Sequence, residues 1–310
     1  MPPIIALSPS PASPPLISAT CFAINLYLPP ITDTLTPILA LLIIALVALS
    51  IAFYKKPLKK VQLPDGYKDL LTKHVSFYRS LDEAGKTCFE NKLIEFLGYV
   101  RITGVDTPVD DLDRLLVASS AVIPIFGFPE WRYYNLRDVW LYSNTFNADD
   151  YSTKGKGRDV LGMVGDGPMQ MLMTLSKPAL HQGFDDTSGR ENTGIHEFVH
   201  LLDKEDGAVD GLPEALLKKQ YSLPWLKLMA DNIAAIKAGR SDINIYGSKN
   251  KAEFLAVAAE YFFEQPGLFK QKHPELYELM TQIFHQHPPE RHTPLTQHPA
   301  FTSPLPSPGN

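Results

Sequence analysis

The motif His-Glu-x-x-His, formed here by His196, Glu197 and His200, is the feature that most restricts how this chain folds. Residues four apart on an α-helix lie on the same side, one turn above each other, so both imidazoles are able to bind one metal ion. Two histidines and a carboxylate, with a fourth position open for water, are typical ligands of catalytic Zn²⁺. Glu197 is placed to act on a water at the metal. The motif therefore predicts a zinc site on a helix.

The alternative is a surface helix on which both histidines are solvated. Apolar side chains argue against this, because they cover most of the circumference of the predicted helix: Ile195, Phe198, Val199, Leu201 and Leu202. Such a helix is buried, and buried polar groups need partners. A metal ion supplies the partner.

The composition excludes several classes of protein. The 310 residues are 45% hydrophobic and 20% charged, as in a soluble globular domain with an added segment. The net charge is -5, so direct binding of nucleic acid is not expected. Two cysteines, Cys21 and Cys88, are too few for a disulfide framework or a cysteine-rich zinc module.

The chain divides into five predicted regions. Residues 1–34 form a disordered extension rich in proline and serine, and residues 35–54 are free of charge and long enough to span a membrane. A basic linker occupies residues 55–64, a zinc metallopeptidase domain residues 65–286, and a disordered, proline-rich tail residues 287–310. A buried core helix is the alternative for residues 35–54, but the segment lies outside the predicted domain.

The lysines that follow the apolar segment predict its orientation. Lys55, Lys56, Lys59 and Lys60 come directly after it, and no lysine or arginine precedes it. Positive charge remains on the cytoplasmic side of a membrane, so we expect a single-pass protein of the inner membrane with its domain in the cytoplasm. If translation starts downstream of this segment, the prediction becomes a cytoplasmic protein.

The order of the predicted elements indicates an α+β fold with a helical N-terminal part, a small mixed sheet, the motif helix and C-terminal helices. Strands are predicted at residues 131–135, 138–142, 159–164 and 169–175, from aromatic, β-branched and apolar runs next to turn residues. The strand at 169–175 shortly precedes the motif helix. We therefore expect it to be an edge strand that holds an extended peptide by strand addition.

A third metal ligand is expected on the helical run at 251–264. Glu253, Glu260 and Glu264 are spaced seven and four apart, so all three lie near one side of that helix. Spacing does not choose among them, and a solvated face with three glutamates remains the alternative.

The chain resembles the Mlc titration factor A family, bacterial zinc-dependent peptidases also called glucose-regulated metallopeptidases. The resemblance rests on three segments: His196 to Asp203, Asp206 to Pro213, and Ala252 to Val257 followed by Glu260 to Phe263. It covers residues 65–286 and implies a zincin core similar to that of anthrax lethal factor.

The resemblance also implies roles for single residues. Glu253 matches the third zinc ligand of the family, which leaves Glu260 as a residue behind the ligands. Tyr246 matches a tyrosine that stabilises the oxyanion, although an ordinary packed turn is the alternative for it. Asp203 lies seven residues after His196, where it either orients a ligand histidine or only ends the helix.

Two functions follow from these expectations. The first is a membrane-anchored, cytoplasmic zinc peptidase that cuts peptide or protein substrates with one Zn²⁺ per chain and Glu197 as general base, and the resemblance implies an aminopeptidase type. The second is a zinc-containing binding protein that sequesters a transcriptional repressor of the Mlc type in glucose phosphotransferase regulation. A complete set of Glu197 and three ligands favours the first, because a structural zinc site needs no general base.

Overall fold

The structure is a computed structural model that describes residues 38–47, 61–147, 160–165, 171–185 and 189–289. The chain divides into two compact units, Met1–Pro57 and Leu58–Asn310. The predicted extension at 1–34 lies outside the described residues. So do most of the predicted linker and tail, of which only residues 61–64 and 287–289 are described.

The first unit contains helix α1 (residues 38–47), and the large hydrophobic side chains of this helix are exposed. Within the described parts of the chain, no helix is both long and apolar enough to cross a membrane. The remainder of the predicted span at 35–54 lies outside the described residues.

Four helices lie in the N-terminal part of the second unit, and one strand separates the last of them from the other three: α2 (Tyr67–His74), α3 (Ser76–Arg79), α4 (Glu83–Tyr99) and α5 (Asp111–Ile125). The last of these starts with a capping box, in which the side chains of Asp110 and Asp113 each accept from the backbone N–H of the other at 2.8 Å. Nearly all of α5 is buried, and it packs on both α4 and the motif helix. The helical N-terminal part predicted from the sequence is therefore present.

A four-stranded mixed sheet follows, in the order β1-β2-β4-β3: β1 (Arg101–Val105), β2 (Asp138–Tyr142), β3 (Gly162–Val164) and β4 (Leu172–Ser176). The β1–β2 and β2–β4 pairs are parallel, whereas β3 pairs antiparallel with β4. The predicted α+β class with a small mixed sheet is confirmed, and β2 has the predicted bounds.

Two strand predictions need correction, and one strand was not predicted. Residues 131–135 form turns and irregular structure, and β1 was missed. The strand predicted at 169–175, of which residues 169 and 170 lie outside the described residues, corresponds to β4 from Leu172 onward, and it is not an edge strand. Strands β2 and β3 lie on its two sides, and all five residues of β4 are buried. The edge of the sheet at this end is β3 instead.

Six further α-helices follow in the described residues of the second unit: α6 (Lys177–Gly183), α7 (Thr193–Asp203), α8 (Ser222–Lys237), α9 (Lys251–Glu264), α10 (Pro266–Lys272) and α11 (Pro274–Phe284). Helix α7 carries the His-Glu-x-x-His motif and packs on α5 and α9. Every residue of α9 except Lys251 and Glu253 is buried, so α9 is the central helix of the core.

Helix α7 approaches α5 closely because its second residue is glycine. A Cβ atom on Gly194 would lie 2.1 Å from the Oγ of Ser120, which is far inside a normal contact distance. Any larger residue would push the two helices apart, since a packed core does not absorb such an overlap. This glycine therefore sets the depth at which the motif helix lies in the domain.

Candidate functional site

Helix α7 begins at a buried set of hydrogen bonds made by Asn192. The side-chain oxygen of Asn192 accepts from the N–H of Ile195 at 3.1 Å and caps the helix. The side-chain nitrogen donates to Oε1 of Glu264 at 3.0 Å, and the backbone N–H donates to Oε2 of Glu260 at 2.6 Å. These bonds join the first turn of α7 to α9.

The two motif histidines meet Glu253 of α9. Oε2 of Glu253 lies 3.0 Å from Nε2 of His196 and 3.4 Å from Nε2 of His200. One ligand atom from each residue lies within 4.8 Å of the others, and within the described residues this is the one such cluster of three or more potential ligands. Of the three candidate glutamates on this helix, Glu253 is the one that faces both imidazoles.

Glu260 lies behind His196 rather than in the cluster. Its Oε1 is 2.7 Å from Nδ1 of His196. A carboxylate only accepts hydrogen bonds, so it favours the tautomer with the proton on Nδ1 and leaves Nε2 free as a metal ligand. Glu264, one turn further along, is buried and bonds to Asn192 instead.

Glu197 is buried beside the cluster and lies against the edge strand. Only 6% of its surface is exposed, and this burial raises the pKa of its carboxyl group. A Cβ atom on Gly162 of β3 would lie 2.6 Å from Cγ of Glu197 and 2.8 Å from its Oε1. The absence of a side chain at Gly162 therefore allows the Glu197 carboxylate to occupy its position.

Tyr246 lies at the entrance to the cluster. It belongs to a 3₁₀ turn (Ile245–Ser248) ahead of α9, and 46% of its surface is exposed. Its hydroxyl donates to Oε1 of Glu253 at 3.3 Å, and Lys249 Nζ donates to the same hydroxyl at 3.1 Å. This hydrogen bond raises the pKa of Lys249. The tyrosine thus reaches the cluster but is not a packed core residue.

Asp203 ends α7 and holds the turn that follows it. Its Oδ2 accepts from the N–H of Gly211 at 2.8 Å, and burial raises its pKa to about 6. A Cβ atom on Gly211 would lie 2.4 Å from the carbonyl oxygen of Lys251, so the turn rests directly on the start of α9. Of the two predicted roles for Asp203, these contacts fit the role at the helix end, and its described hydrogen bond does not reach a histidine.

The charges in the cluster favour a cation between the three ligands. Burial lowers the pKa of His196, but its hydrogen bonds with Glu253 and Glu260 outweigh burial and raise that pKa well above its usual range. Burial raises the pKa of Glu253, yet hydrogen bonds from His196 and His200 hold it well below its usual range. The carboxylates thus stabilise positive charge here, and two imidazoles with one carboxylate fit a divalent metal ion such as zinc.

The cluster opens into a cleft with a volume of about 1160 Å³. Strand β3 forms one wall, helix α7 forms the base, and residues 244–253 form the opposite wall. A cleft of this size accommodates several residues of a peptide.

Comparison with known families decides how this site is classified. The sequence model described as glucose-regulated metallo-peptidase M90 matches residues 52–285, which include both walls of the cleft and all three clustered ligands. The chain belongs to the M90 metallopeptidase family. The family expected from the three sequence segments is therefore confirmed.

Several relatives of this M90 member are proteins described as Mlc titration factor A. The one from Salmonella arizonae is 28% identical over 207 residues, which cover 62% of this chain and 78% of that protein. The one from Escherichia coli is 27% identical over 198 residues, covering 59% and 72%. An uncharacterized protein of Synechocystis sp. is 24% identical over 242 residues, covering 74% and 87%.

Three residues of this M90 site were not predicted from the sequence: Gly162, Asn192 and Lys249. An asparagine shortly before a buried helix is a recognised capping signal, so the sequence alone is enough to predict the capping role of Asn192. The other two depend on contacts with Glu197 and Tyr246 across the cleft. A single sequence contains no signal for such contacts.

The geometry predicts how metal binding responds to substitution. We expect one zinc ion per chain in the wild type, loss of that ion in Glu253→Ala, and about ten- to hundredfold weaker binding in Glu260→Gln, because His196 loses its orienting carboxylate. Metal content after dialysis and a chelator titration measure these effects. Glu275→Gln, on the exposed first turn of α11, is the matched control. Zinc retained by Glu253→Ala would assign the third ligand to another residue.

Proposed function

We propose that this protein is a zinc-dependent peptidase. The observation that carries the proposal is the buried carboxylate of Glu197 next to His196, His200 and Glu253. A structural metal site does not need a buried carboxylate that is not a ligand, and burial of an ionisable group lowers the stability of the protein. Membership of a metallopeptidase family supports the same conclusion.

In the proposed mechanism, Glu197 transfers the protons. A bound zinc ion supplies Lewis acidity that lowers the pKa of a water molecule and polarises the scissile carbonyl. Glu197 accepts the proton that the attacking water loses and then donates it to the leaving amine. Burial raises the pKa of the Glu197 carboxyl group, and a cation bound beside it would act in the opposite direction.

We assign Tyr246 to the oxyanion that develops on the scissile carbonyl. Its hydroxyl already points to the cluster, 3.3 Å from Oε1 of Glu253, and its half-exposed side chain lines the cleft that a substrate would enter. A hydroxyl donor at that position stabilises negative charge in the transition state. Lys249, which donates to the same hydroxyl, places a positive charge beside it.

Strand β3 is the proposed support for an extended peptide. The carbonyl of Leu161 accepts a hydrogen bond from β4 at 2.7 Å, and the N–H of Gly165 donates one to β4 at 2.8 Å. Backbone groups alternate in direction along an antiparallel strand, so those of Gly162 and Val164 point away from β4. Strand addition at this edge would pair them with a substrate beside Glu197. Aminopeptidase-type activity on short substrates is proposed from the family resemblance alone.

Sequestration of a transcriptional repressor is the second proposed function. It is supported by the name Mlc titration factor A, which several relatives of this chain carry. Under this proposal the metal cluster stabilises a binding surface, and hydrolysis is not required.

We further propose membrane attachment through residues 35–54, on the evidence of the charge-free apolar run and the lysines after it. The full chain is expected in the carbonate-resistant membrane fraction. Ile43→Lys combined with Ala45→Lys should shift it to the supernatant, because two charges in the middle of the segment oppose insertion. Equal partitioning of both proteins would contradict the proposal.

The two functions are separated by Glu197→Gln. We expect peptide hydrolysis to fall by at least about a hundredfold, since removal of a general base costs roughly this much, while zinc remains bound. The assay measures cleavage of aminoacyl amides and longer peptides by the zinc-loaded protein, with Glu275→Gln as the matched control. Unchanged hydrolysis would remove Glu197 from the mechanism. Binding of an Mlc-type repressor that survives in an inactive Glu197→Gln protein would support the second function.

Gly162→Ala tests the contact between β3 and the proposed base. The new Cβ atom would force the Glu197 side chain to move by close to an ångström, and a displacement of that size costs about a hundredfold in kcat. Metal content should not change, because the three atoms nearest to the added Cβ all belong to Glu197, which is not one of the three ligands. Glu275→Gln, on the exposed first turn of α11 and away from the residues that line the cleft, is the control. Full activity of Gly162→Ala would show that Glu197 does not need this contact.

A further inference from the structure

Exposed hydrophobic side chains are concentrated around the cleft. In the described part of the second unit, six large hydrophobic residues are exposed, and four of them line the cleft: Leu161, Val209, Ile245 and Tyr246. Ile245 is 67% exposed, Leu161 47% and Val209 46%. Scattered exposed hydrophobic residues are ordinary, but a group of them around a single cleft indicates a binding site.

The two segments that carry Val209 and Ile245 are held in place by hydrogen bonds. Val209 belongs to the turn that Asp203 fixes through the N–H of Gly211. Ile245 follows Asn244, whose side-chain oxygen accepts from the N–H of Tyr246 at 2.9 Å. The backbone that carries these apolar side chains is therefore already ordered, so binding does not incur the entropy cost of ordering it.

Several charged side chains of the cleft are already used within the protein. Lys204 Nζ donates to the carbonyl of Gly165 at 3.0 Å, and Lys249 is bound to Tyr246 and Glu253. These ammonium groups are thus partly satisfied before a substrate arrives. A substrate that covers the apolar residues gains burial, whereas one with a charged side chain there loses solvation.

We propose that the cleft selects peptides with a large apolar side chain, such as Leu, Ile, Phe or Met, next to the scissile bond. Leu161 directly before β3, together with Val209 and Ile245, makes the contacts that give this preference. The inference rests on the proposed peptidase function and adds the substrate class to it.

The test uses the full-length, zinc-loaded protein and a peptide mixture of randomised sequence, with cleaved bonds identified by mass spectrometry. We expect Leu, Ile, Phe or Met to be enriched at a position beside the cleaved bond. For the best peptide, replacement of that residue by Ser or Asp should lower kcat/KM by at least about tenfold, as expected for a hydrophobic pocket.

Substitutions in the wall identify the contact residues. Val209→Ser and Ile245→Ser should each reduce the preference for the apolar peptide over its Ser analogue by a factor of about three or more, while zinc content stays unchanged. Leu223→Ser is the matched control, because Leu223 is 78% exposed but lies on α8, away from the residues that line the cleft. It should leave the preference unchanged.

The outcomes separate this inference from the proposed function. Hydrolysis without an apolar preference overturns the inference and leaves the peptidase function intact. An apolar preference that survives in both wall variants shows that other residues provide it, and so overturns the assignment to Val209 and Ile245. Absence of hydrolysis of any peptide by the zinc-loaded wild type contradicts the peptidase function, and the inference fails with it.

Discussion

The buried hydrogen bonds between α7 and α9 are the interaction on which the site depends. Glu260 bonds to the backbone of Asn192 and to Nδ1 of His196, so a single carboxylate joins the helices and orients a ligand. In a core of low polarity these groups have to be paired, which makes the relative position of the two helices specific. Glu253 reaches both imidazoles because this network has already placed α9 against α7.

Close approach of backbone to side chain is the second constraint on the site. Gly194 lets α7 lie against α5, and Gly162 lets the edge strand lie against Glu197. The edge strand thus lies directly against the proposed base, which contributes to its burial and so to its raised pKa. Because β3 lies beside Glu197, the same strand buries the proposed base and is the proposed support for a substrate peptide.

The sequence was most informative where local pattern and chemistry coincide. The motif predicted a buried helix with two imidazoles on one side, and α7 has that character. It was less informative about the sheet, because β1 is short and half exposed and β4 was predicted as an edge strand. Whether a strand lies at an edge depends on which other strands pair with it, and those pairings join residues far apart in the chain.

The sequence by itself determined the metal-binding motif and the α+β class, since each depends on residue types at short, regular spacings. The family followed from the resemblance of three longer segments. Only the tertiary structure distinguished Glu253, Glu260 and Glu264 by their contacts, because all three lie near one side of the same helix and differ only in what α7 presents to them. It also brought Gly162 to Glu197 and Val209 and Ile245 to the same cleft. Packing between distant segments decides these contacts, and the spacing of residues along the chain gives no information about that packing.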